Sequence, residues 1–136
     1  MINFNYLINV RSLERWALLR QPDFIEANKE YVRISNALKK FTTPDARIAV
    51  VTAGAIPYFT ERPAIDLLGK NDPIIARQDN HIPKNLTDIR PGHMKWDYDY
   101  AIGQIKPDVI VQLWGDTKAA QEYIKQYYTG VEIDGM

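Results

Sequence analysis

The sequence predicts an α/β fold: a three-layer, Rossmann-like sandwich around a central, mainly parallel sheet of about four strands. Three observations carry that expectation. "RIAVVTA" (47–53) is a continuous apolar, β-rich run of the kind that sits in a sheet covered on both faces. Runs of this type alternate along the chain with segments of helical periodicity, and that alternation places helices on the faces of a parallel sheet. The 136 residues suit one domain, long enough to bury roughly two thirds of its unfolded surface.

Residues 1–20 mix apolar and polar positions without a start signal; Phe4, Leu7, Ile8 and Trp16 are apolar enough to pack on something. After Pro22, the residues Phe24, Ala27, Tyr31, Ile34, Leu38 and Phe41 recur at spacings of three and four, which predicts an amphipathic helix ended by "TTPD". The first strand is 47–53. "AIDLL" (64–68) is the second, "DVIVQLW" (108–114) the third and "VEID" (131–134) a fourth, nearer an edge. Tyr98, Ala101, Ile102 and Ile105 form an apolar stripe before the third strand. After it, Asp116 can cap a helix whose stripe is Ala120, Tyr123, Ile124 and Tyr127. The stretch 70–95 is polar and proline-marked, a loop of a length that is uncommon inside a compact domain and often functional.

Composition narrows the function. Seventeen basic side chains balance seventeen acidic ones, so no net field gathers nucleic acid, and none is expected as a partner. The absence of cysteine removes disulfides, thiolate metal sites and a cysteine nucleophile. No run approaches the about 20 apolar residues of a membrane-spanning helix.

The turn "TAGAIPYF" (52–59) follows a strand and opens a helix, so its N–H groups could bind an anion. It has one glycine where the dinucleotide fingerprint needs three, and the P-loop lysine and hydroxyl are missing. In the plainer reading it is a tight turn, with Tyr58 and Phe59 filling the core. Asp66 and Asp72 stand near the end of the second strand; a carboxylate pair there could hold a divalent cation or sugar hydroxyls. Alternatively, Asp66 accepts backbone hydrogen bonds from a neighbouring turn and Asp72 caps "PIIAR", since Asp before Pro is a helix-start signal. His81 and His93, the only histidines, have no ligand motif around them, and loop histidines of this kind are ordinarily solvated. Asp97 and Asp99 of "DYDY" point about 200° apart on a helix, so they cannot flank one glycosidic bond. No catalytic constellation emerges, and neither a metal nor a cofactor is expected.

"TPDARIAVVTAGAIPYFTERPAIDLLGKNDPIIAR", followed by "PGHMKWDYDYAIGQIKPDVIV", resembles the soluble C-terminal region of multi-spanning bacterial membrane glycosyltransferases. These are the polyprenyl-phosphate-sugar-dependent type, akin to the protein mannosyltransferase and arabinofuranosyltransferase groups. The similarity runs from about 43 to 112. In that family the lipid-linked sugar and the acidic catalytic residues belong to the membrane part. The resemblance therefore implies that 1–20 is a connecting segment after a membrane region and that 21–136 is a single extracytoplasmic α/β domain without catalysis of its own. It also implies the membrane-embedded portion of a parent protein as partner, and a glycan acceptor as ligand. Two other readings stand beside it: a stand-alone nucleotide- or sugar-phosphate-binding enzyme, and a pure interaction module that packs on the membrane part. Any ligand is expected beyond the carboxyl ends of the strands, where Ala53–Tyr58, Gly69–Asp72 and Trp114–Asp116 would converge. Tyr58 and Trp114 would stack on sugar rings, while Asp66, Asp72, Asp116 and Arg62 would bind hydroxyls.

Overall fold

The computed structural model describes residues 13–133. Helix α1 (Leu13–Trp16) is followed by α2 (Ile25–Phe41), strand β1 (Ile48–Val50), α3 (Ala55–Thr60), β2 (Ala64–Asp66) and α4 (Pro73–Ala76). A 3₁₀ turn (Leu86–Asp88) and a π-helix (Asp99–Gln104) lead to β3 (Val109–Ile110) and α5 (Lys118–Tyr127). The three strands form one open parallel sheet in the order β2-β1-β3, with Val50 opposite Asp66 and Ala49 opposite Ile110.

β1 is central, and Ile48, Ala49 and Val50 are all fully buried, as its unbroken apolar sequence requires. The two-residue alternation of a strand divides its side chains between two cores. Ile48 and Val50 pack with Leu38 of α2 and Ile56 of α3 on one face. Ala49 packs on the other with Ile65, Leu67, Ile75, Ala101, Ile102 and Ala120. The chain is thus a mixed α/β domain with helices on both faces of a small sheet.

Several elements differ from the sequence expectation. The α2 stripe buries Leu38 and partly buries Tyr31 and Ile34, but Phe24 and Phe41 at its ends are exposed. A short sheet covers only the middle of a 17-residue helix. The third strand stops after Ile110 because Gln112 turns its side chain into the sheet, where Oε1 accepts hydrogen bonds from Val51 N (3.1 Å) and Thr52 N (2.8 Å). That amide replaces two rungs of backbone ladder. Residues 131–133 form no strand, and Asp134 lies outside the described residues, as do Phe4, Leu7 and Ile8. The segment runs beside the free edge of β3 across a groove of about 510 Å³, and Val131 is 75% exposed. With only two residues, β3 gives the segment a short template to pair with.

The stripe before β3 is wound as a π-helix, with Ile105 N bonded to Tyr100 O at 3.0 Å. Arg47 holds its end, donating from Nη1 to Ile105 O and from Nη2 to Lys106 O. Among the described residues, no helix is long and apolar enough to cross a membrane.

Candidate functional site

At its carboxyl end, β3 runs into the turn Leu113–Asp116. Tyr98, at the start of the π-helix, fixes that turn from below: its hydroxyl donates to Trp114 O at 2.5 Å and accepts from Trp114 N at 2.8 Å. Burial pushes the Tyr98 phenol above its ordinary range, the Asp116 carboxylate adds to the shift, and the hydrogen bond to Trp114 opposes it. Gly115 follows with φ +64, and a Cβ built there would lie 2.6 Å from the Trp96 ring. Glycine is required twice over, by the left-handed backbone and by the indole against it. The N-cap of α5 is Thr117, which makes no side-chain cap bond, and not Asp116 as the sequence suggested; Asp116, one residue earlier, accepts from Lys118 N at 3.1 Å.

The long polar loop folds back over this turn. Its two arms are stitched together by His81 N donating to Met94 O (2.7 Å) and by Gln78 Nε2 donating to Asp97 Oδ2 (2.5 Å). The His81 ring stacks on Trp96, with centroids 4.0 Å apart and planes at 16°. Its Nε2 lies 2.9 Å from Trp96 O; a carbonyl can only accept, so this nitrogen carries the proton. Trp96 is therefore held between His81 and Gly115. Trp114 donates from Nε1 to His93 O at 2.9 Å, and the His93 ring tilts over its indole. His93 in turn donates from Nδ1 to Pro91 O, which leaves Nε2 to accept from Lys70 Nζ at 3.2 Å.

These interlocked rings bound a cavity of about 490 Å³, lined also by Ile82, Pro83, Asp88, Arg90 and Asp116. A second, of about 480 Å³, lies against the starts of the π-helix and α5, with Gln78, Asp79, Asp97, Asp99 and Lys118 in its wall. The two cavities share His81, Trp96 and Asp116. Both are open depressions, similar in volume to the grooves beside α2 and β3, about 540 and 510 Å³.

Of the six residues proposed from sequence, Trp114 and Asp116 line the first of these cavities. Asp66 is buried, and its two oxygens accept from Leu68 N (3.0 Å) and Asn71 N (2.6 Å), closing the turn after β2. Asp72 caps α4, with Oδ1 accepting from Ile74 N and Ile75 N, and its other oxygen reaches Tyr100 Oη at 3.5 Å. Arg62 precedes β2 and so stands at the amino end of the sheet. Its guanidinium binds the carbonyls of Thr42 and Thr60 and the Thr42 hydroxyl at the end of α2. Tyr58 is 77% exposed, edge-on to Phe59 at 5.1 Å; neither ring fills the core, which corrects that expectation. They are carried on the outer side of a six-residue helix whose one fully buried apolar residue is Ile56.

The Ala53–Tyr58 and Gly69–Asp72 turns do not line the two cavities, although Lys70 touches His93 from behind. What sequence reasoning passed over is the pair of histidines: each has an aromatic partner, His81 in Trp96 and His93 in Trp114. The available signal was the long loop itself, whose two histidines stand among polar neighbours, with Trp96 directly after it. Among the described residues, no group of three or more histidine and acidic side chains is placed to hold a metal ion.

No curated protein and no solved structure matches this chain. Residues 18–133 match a protein family described as a domain of unknown function (DUF8728), and since that match covers most of the sequence, the chain belongs to this family.

Proposed function

We propose that this chain is a non-catalytic carbohydrate-binding domain, and that it serves a membrane glycosyltransferase from the extracytoplasmic side by binding a glycan acceptor. One observation carries the reading: an aromatic cleft rimmed by carboxylates beyond the carboxyl end of β3. Aromatic surface suits the C–H faces of sugar rings, and carboxylates suit their hydroxyls. Because the His81 ring covers one face of Trp96, the surfaces left for a ligand are Trp114, the solvent side of His81 and the part of Trp96 that lines the cavities. Asp116 spends one oxygen on Lys118 N, leaving the other for a hydroxyl. The parent enzyme and the extracytoplasmic location belong to the same proposal, supported by the sequence resemblance alone, and a Rossmann-like sandwich is supported by the alternation of strands and helices.

Charge weighs against a phosphate-bearing ligand. Asp79, Asp88, Asp97, Asp99 and Asp116 line the two cavities against Arg90 and Lys118, in a chain whose formal charge is zero. The turn after β1 is no better placed, since Gln112 already occupies the amides of Val51 and Thr52. A second reading, the interaction module, is favoured by the exposure of Trp16 and Leu19 in the segment leading to α2.

The test is an NMR titration with neutral oligosaccharides: cellohexaose, maltohexaose and chitohexaose. The carbohydrate reading expects shifts at His81, Trp96 and Trp114 with at least one of them, and their loss in Trp114→Ala. Silence from all three at millimolar concentration overturns it.

A further inference from the structure

We propose that the two cavities are halves of one cleft, and that a single linear, uncharged glycan of at least two rings lies across the His81–Trp96 wall between them. The inference rests on the carbohydrate-binding reading and says how that ligand is built. Its first ground is the wall. His81, Trp96 and Asp116 belong to both cavities, so the two spaces abut along these three side chains.

The second ground is that the wall is fixed. Trp96 is pinned between the stacked His81 ring and Gly115, and His81 is tied by its backbone N–H to Met94 O and by Nε2 to Trp96 O. A ligand that reaches both spaces must pass over this ridge, since it cannot displace it without breaking that set of contacts. A linear chain of rings meets this requirement, whereas a compact ligand fills one side only.

The third ground is that the halves differ in chemistry. Ile82, Pro83, Met94 and Trp114 give the first an apolar wall for the C–H face of a ring or an acetyl methyl. Gln78, Asp79 and Lys118 give the second a wall of hydrogen-bonding groups for ring hydroxyls. Asp116, at the junction, is within the reach of both rings. Joining two weak subsites through one ligand makes the second contact intramolecular, so chain length raises affinity without new residues.

The experiment measures calorimetric affinities of the full chain for cellohexaose, maltohexaose and chitohexaose, each against its own monosaccharide. Ala119 is exposed and lines the second cavity but not the first, so Ala119→Trp blocks that half while leaving the aromatic half intact. The expected result is that one hexasaccharide binds at least about tenfold more tightly than its single ring, and that Ala119→Trp removes this advantage while monosaccharide binding persists in the aromatic half. Ala119→Arg repeats the block if the tryptophan variant does not fold, judged by circular dichroism. Equal affinity for one ring and six, or a length advantage that survives both blocks, overturns the two-subsite cleft and leaves carbohydrate binding standing. Binding by none of the sugars overturns both.

Discussion

Removing one oxygen atom, in Tyr98→Phe, tests the support of the cleft. Tyr98 is 3% exposed, and its hydroxyl is both donor and acceptor to the backbone of Trp114. Phenylalanine keeps the ring in the core beside Ala101 and Ile102. It leaves the Trp114 N–H and carbonyl without this partner, in a turn that is only partly open to water. Two groups at about 1–3 kcal/mol each give about 2–6 kcal/mol, and because both bonds are part-buried the expected loss lies at the lower end, about 2–4 kcal/mol. That is a large part of a domain stability on the order of 5–15 kcal/mol. In urea denaturation followed by tryptophan emission, the midpoint falls by roughly 1–2 M at unchanged slope. The phenol also predicts a pH dependence. Its folded pKa is raised above the ordinary value of about 10, so the unfolded chain ionises first as pH climbs. The stabilisation is complete below about pH 10 and is lost as pH rises through the folded value. Tyr100, Tyr123 and Tyr128 shift in the same direction, so the informative quantity is the difference between wild type and Tyr98→Phe. That gap narrows in alkali. A midpoint shift equivalent to less than about 0.5 kcal/mol, or a gap that stays constant to pH 11, refutes the reasoning.

Three further substitutions probe the frame around the site. Gly115→Ala places a Cβ against Trp96 in a left-handed backbone; it costs at least about 1–2 kcal/mol and alters tryptophan emission, both read in one thermal melt. Asp66→Asn keeps one acceptor oxygen where two are used, so either Leu68 N or Asn71 N loses its partner; denaturation shows a loss of about 1–3 kcal/mol. Gln112→Leu strips the acceptor from Val51 N and Thr52 N, and native-state hydrogen exchange at these two amides accelerates while that of Ile48 and Ala49 changes little.

Local signals proved legible where one short stretch contains all the partners. Asp72 before Pro73 is a cap in the structure, Asp66 closes a turn with residues at most five positions away, and the apolar run around Ala49 is the central strand. Elements that depend on distant partners were not legible. The end of β3 is decided by a glutamine side chain reaching β1, about 60 positions back in sequence, and nothing in "DVIVQLW" announces it. The fourth strand failed for a related reason: alternation in "VEID" describes a side-chain pattern, whereas a strand also needs an edge long enough to pair with. The cleft was half visible. Trp114 and Asp116 follow a strand, where open α/β sheets place ligands. His81 and Trp96 meet only because the loop doubles back, and hydropathy does not encode stacking between residues fifteen apart.

The Gln112 amide has a consequence for where any ligand can go. In the order β2-β1-β3 the chain leaves β1 on one side for β2 and returns past it to β3 on the other, so the winding reverses between β1 and β3. In open α/β sheets the gap at such a topological switch point is the customary ligand seat. Here a side chain of the protein already sits in it, satisfying the first two amides that β1 releases. The seat is self-occupied, and the strands are clamped together before anything binds. A ligand is thereby displaced outward, onto the doubled-back loop and the first turn of α5. On the proposed reading, recognition then falls to the loop from 78 to 97 and the turn that follows β3, and substitutions in that loop leave the Gln112 clamp untouched.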